Sequence, residues 1–171
     1  MSAICLSDVN QLPPAAFAER FGDIAEHSPW VAATALAARP FGGREAMIAA
    51  FVAAIGGAGR DAQLALIRAH PDLAGKAALA GNLTDDSKRE QAGAGLDSLT
   101  PDEFARFTGL NGAYLAKFGF PFIFAVRGAT KHMILDAFAA RLDNDAGTEF
   151  NTALAQIARI VRFRLEDRVS E

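Results

Sequence analysis

Apolar residues recur at intervals of three and four positions along most of the chain, which is the period of an amphipathic α-helix. The pattern predicts an all-α protein, a single-domain globular helical bundle that covers residues 1–171. The positions expected to face its core are Phe17, Phe21, Ile24, Met47, Ile48, Phe51, Val52, Ile55, Leu64, Leu66, Ile67, Phe104, Phe107, Leu110, Tyr114, Phe118, Phe150, Leu154, Ile157, Val161 and Leu165.

Prolines and capping residues predict where these helices begin and end. The first helix should follow Pro13-Pro14 and close before Pro29, and the second should run from Trp30 to Arg39. A third helix should follow Phe41-Gly42-Gly43, and two more should span Ala62–Ala69 and Lys76–Ala80. The next two should start near Thr84–Ser87 and at Pro101, the latter with a Thr100/Glu103 capping box. The last two should span Lys131–Leu142, with Thr130 as the N-cap, and follow Asp143–Asp145.

A second capping box is predicted at Ser87-Lys88-Arg89-Glu90. In this motif the serine and glutamate side chains each accept a hydrogen bond from a backbone N–H at the start of a helix. On this interpretation Ser87 and Glu90 have a purely structural role.

The segment from Phe118 to Gly128 follows neither the helical nor the strand period. No other segment is a candidate strand to pair with it, so we expect an extended or loosely turned stretch buried between helices. Its backbone N–H and C=O groups then need partners, and a ligand is one such partner. The structural alternative for Arg127, at its end, is a solvent-facing residue before the next helix.

Composition narrows the class of protein. The 171 residues, 51% of them hydrophobic and 22% charged, suit one globular domain. A net charge of −3 without a basic tract argues against a nucleic-acid partner. Cys5 is the only cysteine, which favours a reducing, cytoplasmic setting. No apolar run reaches the length of a membrane span and no secretion signal is present, so we expect no membrane partner.

Familiar catalytic motifs are missing from the sequence. It has no G-x-S-x-G elbow and no G-x-G-x-x-G after a strand, and His27, His70 and His132 lack metal-ligand spacing. We therefore expect neither a metal nor a cofactor. What remains is acid–base chemistry by histidine and carboxylate, or no chemistry at all.

His70 is the candidate for such chemistry. It lies where Pro71 stops a helix, so unpaired carbonyls and the helix dipole favour its charged form while apolar neighbours oppose it. A histidine under opposed influences can titrate near neutral pH. The structural alternative is a capping histidine that bonds the last carbonyls.

Several motifs together resemble the OHCU decarboxylases, the 2-oxo-4-hydroxy-4-carboxy-5-ureidoimidazoline decarboxylases of urate breakdown. They occur in the family's order and cover nearly the whole chain. The motifs are Glu26 to Ala32, Arg39-Pro40-Phe41, His70-Pro71-Asp72-Leu73-Ala74-Gly75-Lys76, Ser87-Lys88-Arg89-Glu90-Gln91 with Ala94-Gly95-Leu96, Phe118 to Gly128, and the ending with Arg159-Ile160 and Arg164-Leu165.

The resemblance implies an all-helical homodimer that converts OHCU to (S)-allantoin and carbon dioxide without a cofactor. His70 takes the place of the family's acid–base histidine and Glu90 that of its catalytic carboxylate. The residues in the places that contact substrate are Pro71, Ser87, Lys88, Arg89, Gln91, Phe122, Ile123, Phe124, Ala125, Val126 and Arg127.

Two other functions stay open from the residues themselves. One is a non-catalytic helical module that binds a ureido metabolite or a partner helix, with Ser87 and Glu90 as caps and His70 as a helix stop. The other is an enzyme of the same fold that acts on a different ureido acid.

Overall fold

The computed structural model describes residues 3–75 and 81–171, and this part of the chain is mainly helical. The all-α prediction is confirmed. Its elements are β1 (Ile4–Cys5), α1 (Leu6–Gln11), α2 (Pro14–Phe21), α3 (Trp30–Leu36), α4 (Arg44–Gly56), α5 (Arg60–Ala69), α6 (Asp85–Gly93), α7 (Pro101–Phe118), α8 (Lys131–Arg141), α9 (Ala146–Arg168) and β2 (Val169–Ser170).

The chain divides into two compact units, one formed by Met1–Ala69 with Ile157–Glu171 and the other by His70–Gln156. The prediction of a single domain over 1–171 is not tested by this division and stays a prediction.

The first unit is built on phenylalanines. The Phe17 and Phe21 rings lie 4.8 Å apart, and both side chains are fully buried with Phe51. Burying a side chain of this size stabilises a fold by about 1.5–3 kcal/mol. The unit also contains a buried ion pair, in which Arg164 Nη1 donates to Glu26 Oε2 at 3.0 Å.

One short strand pair in this unit was not predicted. β1 and β2 pair in parallel, with Ile4 opposite Val169 and Cys5 opposite Ser170. Two residues a side are too few to carry a periodic signal, which explains why the sequence did not reveal them.

The second unit is organised around the aromatic face of α7. Tyr114 is fully buried, and its ring lies 5.4 Å from that of Phe122 and 5.8 Å from that of Phe138. The Phe122 and Phe138 rings stack at 3.8 Å. The α7 start is as predicted, because Thr100 and Glu103 form the capping box before Pro101.

Several predicted boundaries need correction. Leu6–Gln11 forms an unpredicted helix, α2 ends at Phe21 and not near Pro29, and α3 ends at Leu36, short of Arg39. Turns and bends at residues 22–27 and a turn at residues 37–38 follow these helices before the next proline. Val52, predicted to face inward, is 37% exposed. The helix predicted over Lys76–Ala80 lies outside the described residues.

No single helix in the described ranges is both long and apolar enough to cross a membrane. The α4 and α5 pair passes by length and composition only, bent by 112° between the two helices. The apolar side chains of α4 pack in the core of the first unit, as expected for a helix of this type in a globular protein.

Candidate active site

Every residue predicted for the site lies in the second unit. His70 comes first, directly after α5, which ends at Ala69 as predicted because Pro71 cannot continue a helix. The His70 side chain is buried, at 7% exposure, and its Nε2 atom is inaccessible to solvent. Pro71 is half-buried.

Residues 71–75 form a tight turn after the histidine. Ala74 is buried and adopts a left-handed conformation with φ 51°, which costs a residue with a Cβ about 1–2 kcal/mol. A Cβ added at Gly75 would lie 2.5 Å from Asp72 Cβ, so the turn requires glycine there.

Two amide side chains hold this turn through its backbone. Gln91 Oε1 accepts a hydrogen bond from Ala74 N–H at 3.0 Å, and Gln91 Nε2 approaches the Asp72 carbonyl at 3.5 Å. Asn111 Nδ2 donates to the Leu73 carbonyl at 2.9 Å. The turn after His70 is therefore fixed to α6 and α7.

The start of α6 corrects one prediction. Thr84 is the N-cap, and its hydroxyl accepts a hydrogen bond from Ser87 N–H. Ser87 is then the third residue of the helix and Glu90 lies in its interior, so the Ser87/Glu90 capping box is wrong. A capping box needs its serine outside the first turn, with extended backbone, and Thr84 has that position.

The predicted residues 87–91 point in different directions, because successive helical residues are about 100° apart. Ser87 and Gln91 are buried and Glu90 is half-buried. Lys88 and Arg89 are exposed, and Arg89 pairs with Asp86 in the preceding turn. Ser87, Glu90 and Gln91 therefore share one face of α6.

A cavity of about 370 Å³ lies beside this helix. Its lining is mostly apolar, with Gln91 and Lys88 among the few polar side chains. The residues that line it are Ala74, Leu83, Lys88, Gln91, Ala92, Leu96, Asp97, Leu99 and Phe104.

The predicted irregular segment is confirmed. Residues 121–126 have neither helix nor strand structure, and Phe122, Ile123, Ala125 and Val126 are buried while Phe124 is half-buried. Arg127 is exposed.

Side chains from two later helices supply partners for this segment's backbone. Arg141 Nη1 donates to the Ile123 carbonyl at 2.6 Å, and Ala125 N–H donates to Gln156 Oε1 at 2.9 Å. The Val126 carbonyl accepts a hydrogen bond from Ala129 N–H at 2.9 Å.

Arg141 is held in turn by Glu149. Arg141 Nη2 donates to Glu149 Oε2 at 2.8 Å, and the same carboxylate accepts hydrogen bonds from Tyr114 and from Asn144. Burial alone would raise the pKa of Glu149, but the hydrogen bonds from Arg141, Tyr114 and Asn144 outweigh it and hold that pKa below its ordinary value. The lowered pKa favours the ionised carboxylate of Glu149 although the side chain is buried. Burial raises the pKa of its neighbour Tyr114.

Asp72 has the opposite electrostatic character. Burial raises the pKa of its carboxyl group, with no opposing contribution from a cation.

Within residues 3–75 and 81–171, no cluster of three or more His, Cys, Asp or Glu side chains is arranged to hold a metal ion.

Sequence reasoning missed the supporting residues Asn111, Arg141, Glu149 and Gln156. Glu149 carried a usable signal, because it stands next to Phe150 and in register with the apolar stripe of α9. An acidic residue on a buried face needs a cation or several donors. The acid–base roles of His70 and Glu90, and the substrate contacts of the other predicted residues, stay predictions.

Comparison with known proteins gives one consistent result. The family model for OHCU decarboxylase matches residues 10–166. A protein of Haloferax volcanii named 2-oxo-4-hydroxy-4-carboxy-5-ureidoimidazoline decarboxylase is 41% identical over 170 residues, 99% of each chain. The uric acid degradation bifunctional protein PucL of Bacillus subtilis is 42% identical over 97% of this chain and 33% of its own length.

Two solved structures share the fold. A crystal structure of (S)-allantoin synthase matches with a TM-score of 0.77 and 35% identity, over 97% of this chain and 54% of that one. A crystal structure of OHCU decarboxylase in the presence of (S)-allantoin matches with a TM-score of 0.69 over 85% of this chain and 93% of that one, and at 20% identity it supports the fold alone.

The resemblance inferred from separate motifs thus extends over a continuous match of nearly the whole sequence. The chain belongs to the OHCU decarboxylase family.

Proposed function

We propose that this protein is a carboxy-lyase that converts 2-oxo-4-hydroxy-4-carboxy-5-ureidoimidazoline to (S)-allantoin and carbon dioxide in urate breakdown. The observation that carries the proposal is the match to the Haloferax volcanii decarboxylase at 41% identity over 99% of both chains. Relatives named for uric acid degradation and (S)-allantoin synthesis support the same reaction.

The reaction makes two demands on the protein. Breaking the bond to the carboxylate releases carbon dioxide and leaves the bonding electron pair on the ring carbon, where it must be delocalised into the ring as an enediolate-like intermediate. The carbon that lost the carboxylate then becomes the ring carbonyl of allantoin as its hydroxyl group gives up a proton, and one proton must reach the adjacent, ureido-bearing carbon from a single side. Hydrogen-bond donors stabilise the developing charge, and an acid–base group on one face sets the S configuration.

His70 is the proposed acid–base group. It is buried at 7% exposure, at the C-terminal end of α5, where a helix dipole favours a cation and burial favours the neutral ring. Gln91 holds the turn that follows it, and Glu90 is the neighbour of Gln91 on α6. We propose Glu90 as the carboxylate that orients the imidazole or accepts the proton of the substrate hydroxyl group.

The irregular segment is the proposed source of donors. The N–H group of Ala125 is already bonded to Gln156, so it is not available to a substrate. Among the described residues, the N–H groups of Phe122, Ile123, Phe124 and Val126 make no such bond, and these are the proposed donors toward the substrate. Pro71, Ser87, Lys88, Arg89, Gln91 and Arg127 remain proposed substrate contacts.

The protein is also proposed to act as a cytoplasmic homodimer. The support for the dimer is the family resemblance, and the support for the cytoplasm is the single cysteine. Light scattering in solution should give twice the chain mass of 18.0 kDa, and a monomer mass would contradict the dimer.

The decisive assay follows product chirality, because OHCU also decays unaided to racemic allantoin. Freshly made OHCU with the protein should develop the circular-dichroism signal of (S)-allantoin. His70→Ala should lower the rate by about 10²–10⁴-fold while the far-UV spectrum stays unchanged.

The matched control is His132→Ala, which removes an exposed histidine at the start of α8 and should keep the full rate. Glu90→Gln should lose most activity and little stability, since Glu90 is not a helix cap. A racemic product with the unaltered protein would overturn the function, and a normal rate with His70→Ala would overturn the role of the histidine.

A further inference from the structure

The Arg141 side chain connects the buried carboxylate of Glu149 with the backbone of the irregular segment. Its guanidinium donates from Nε and Nη2 to Glu149, at 3.0 and 2.8 Å to Oε2, and from Nη1 to the Ile123 carbonyl at 2.6 Å. The same guanidinium carbon lies 4.4 Å from the centroid of the Phe122 ring. One side chain therefore fixes two successive residues of the segment.

Glu149 fixes the direction of Arg141. The Glu149 side chain is fully buried, and hydrogen bonds from Tyr114 and Asn144 occupy its oxygens beside Arg141. A planar guanidinium that binds a carboxylate through two nitrogens has little freedom to rotate. Its remaining nitrogen is thereby aimed at the Ile123 carbonyl.

The stability of the fold does not by itself account for the contacts that Arg141 makes with Glu149 and with the irregular segment. A buried ion pair is often no more stabilising than apolar side chains of the same volume, so stability alone is a weak reason for its presence. Backbone donors must, however, be held near their working positions, because a displacement of about 1 Å can cost 10²-fold in rate. An irregular segment has no internal hydrogen-bond ladder to provide that precision.

We propose that Arg141, oriented by Glu149, is a positioning residue that sets the backbone of residues 122–126 for catalysis. This inference rests on the proposed function of that segment. Arg141 donates to the Ile123 carbonyl and lies against the Phe122 ring, so we expect its removal to change catalysis through the segment's position.

The test compares Arg141→Met with the double variant Arg141→Met/Glu149→Gln. The single variant leaves Glu149 as a buried charge without its cation and can fail to fold, whereas the double variant removes both charges and leaves an amide to bond Tyr114 and Asn144. Asn144→Ala is the matched control, since it removes one partner of Glu149 without a contact to the segment. Activity is measured at a temperature where each variant is fully folded by near-UV circular dichroism.

The double variant should lose about 10–100-fold in kcat, with the pH profile of kcat unchanged, because His70 and Glu90 are intact. Asn144→Ala should melt at a lower temperature yet keep kcat within twofold. A purely structural role of Arg141 predicts a normal kcat in every folded variant. A normal kcat in the folded double variant, or an equal loss in Asn144→Ala, would overturn the proposal.

Hydrogen exchange separates failure of this inference from failure of the proposed function. Amide exchange in the peptide covering residues 122–127 should accelerate in the double variant and not in Asn144→Ala, whether or not the protein is a decarboxylase. Unchanged exchange would overturn the positioning role. A racemic product from the unaltered protein, together with accelerated exchange, would overturn only the reaction.

Discussion

Replacing Gln91 by methionine tests how the turn after His70 is held. Methionine has a similar length and fills the same space, but it cannot accept a hydrogen bond from Ala74 N–H. The Ala74 residue is 4% exposed, so water does not readily replace the lost acceptor. The bond from Gln91 to the Asp72 carbonyl, at 3.5 Å, is too long to contribute much.

The magnitude follows from these contacts. A buried donor left without a partner costs about 1–3 kcal/mol, and the shape of the core is preserved, so we expect a loss of about 2 kcal/mol in the free energy of unfolding. For a protein of this size that corresponds to a Tm lower by roughly 4–8 °C. Urea unfolding followed by far-UV circular dichroism measures the loss, and differential scanning calorimetry measures the shift.

Gln11→Met is the matched control for this exchange. Gln11 is exposed, and its amide makes only a 3.3 Å contact with the Ser7 carbonyl within α1. Its replacement should change the unfolding free energy by no more than about 0.5 kcal/mol. Equal urea midpoints for the Gln91 and Gln11 variants would refute the inference that Gln91 holds the turn.

Three further predictions concern the same unit. Thr84→Ala should lower the free energy of unfolding in urea by about 1 kcal/mol, because α6 loses its N-cap. An unchanged free energy of unfolding would contradict the capping role of Thr84. Gly75→Ala should destabilise by about 1–3 kcal/mol through its clash with Asp72, whereas Gly112→Ala, in open space within α7, should stabilise by about 0.5–1 kcal/mol. Burial raises the Asp72 pKa, so the stability from its protonated form is present below its ordinary value of 3.8 and is lost as the pH rises through the raised pKa. Asp72→Asn should therefore raise the urea midpoint at pH 7 but not at pH 3.5, and equal effects at both would contradict this.

Local signals determined much of the fold. The Thr100 capping box, the Thr130 cap and the stop at Pro71 each depend on residues within one helical turn, so the sequence was sufficient to predict the helix ends beside them. The irregular character of residues 121–126 was also predictable, since the segment follows neither period.

Only the tertiary structure decided the capping of α6 and the partners of buried polar groups. Thr84 and Ser87 are both acceptable N-caps by residue type, and the hydrogen bond from Ser87 N–H to Thr84 is what separates them. Nothing near Gln91 in the sequence indicates that its amide is used by the turn seventeen residues earlier.

The buried carboxylate of Glu149 is a second case in which the sequence shows the residue but not its partners. Its partners Tyr114, Arg141 and Asn144 come from α7, from the end of α8 and from the following turn, at separations no local pattern encodes. A helix end is set by neighbours along the chain, and the sequence alone therefore determines it. A buried polar group is stable only when distant groups meet it, and only the folded chain brings those groups together.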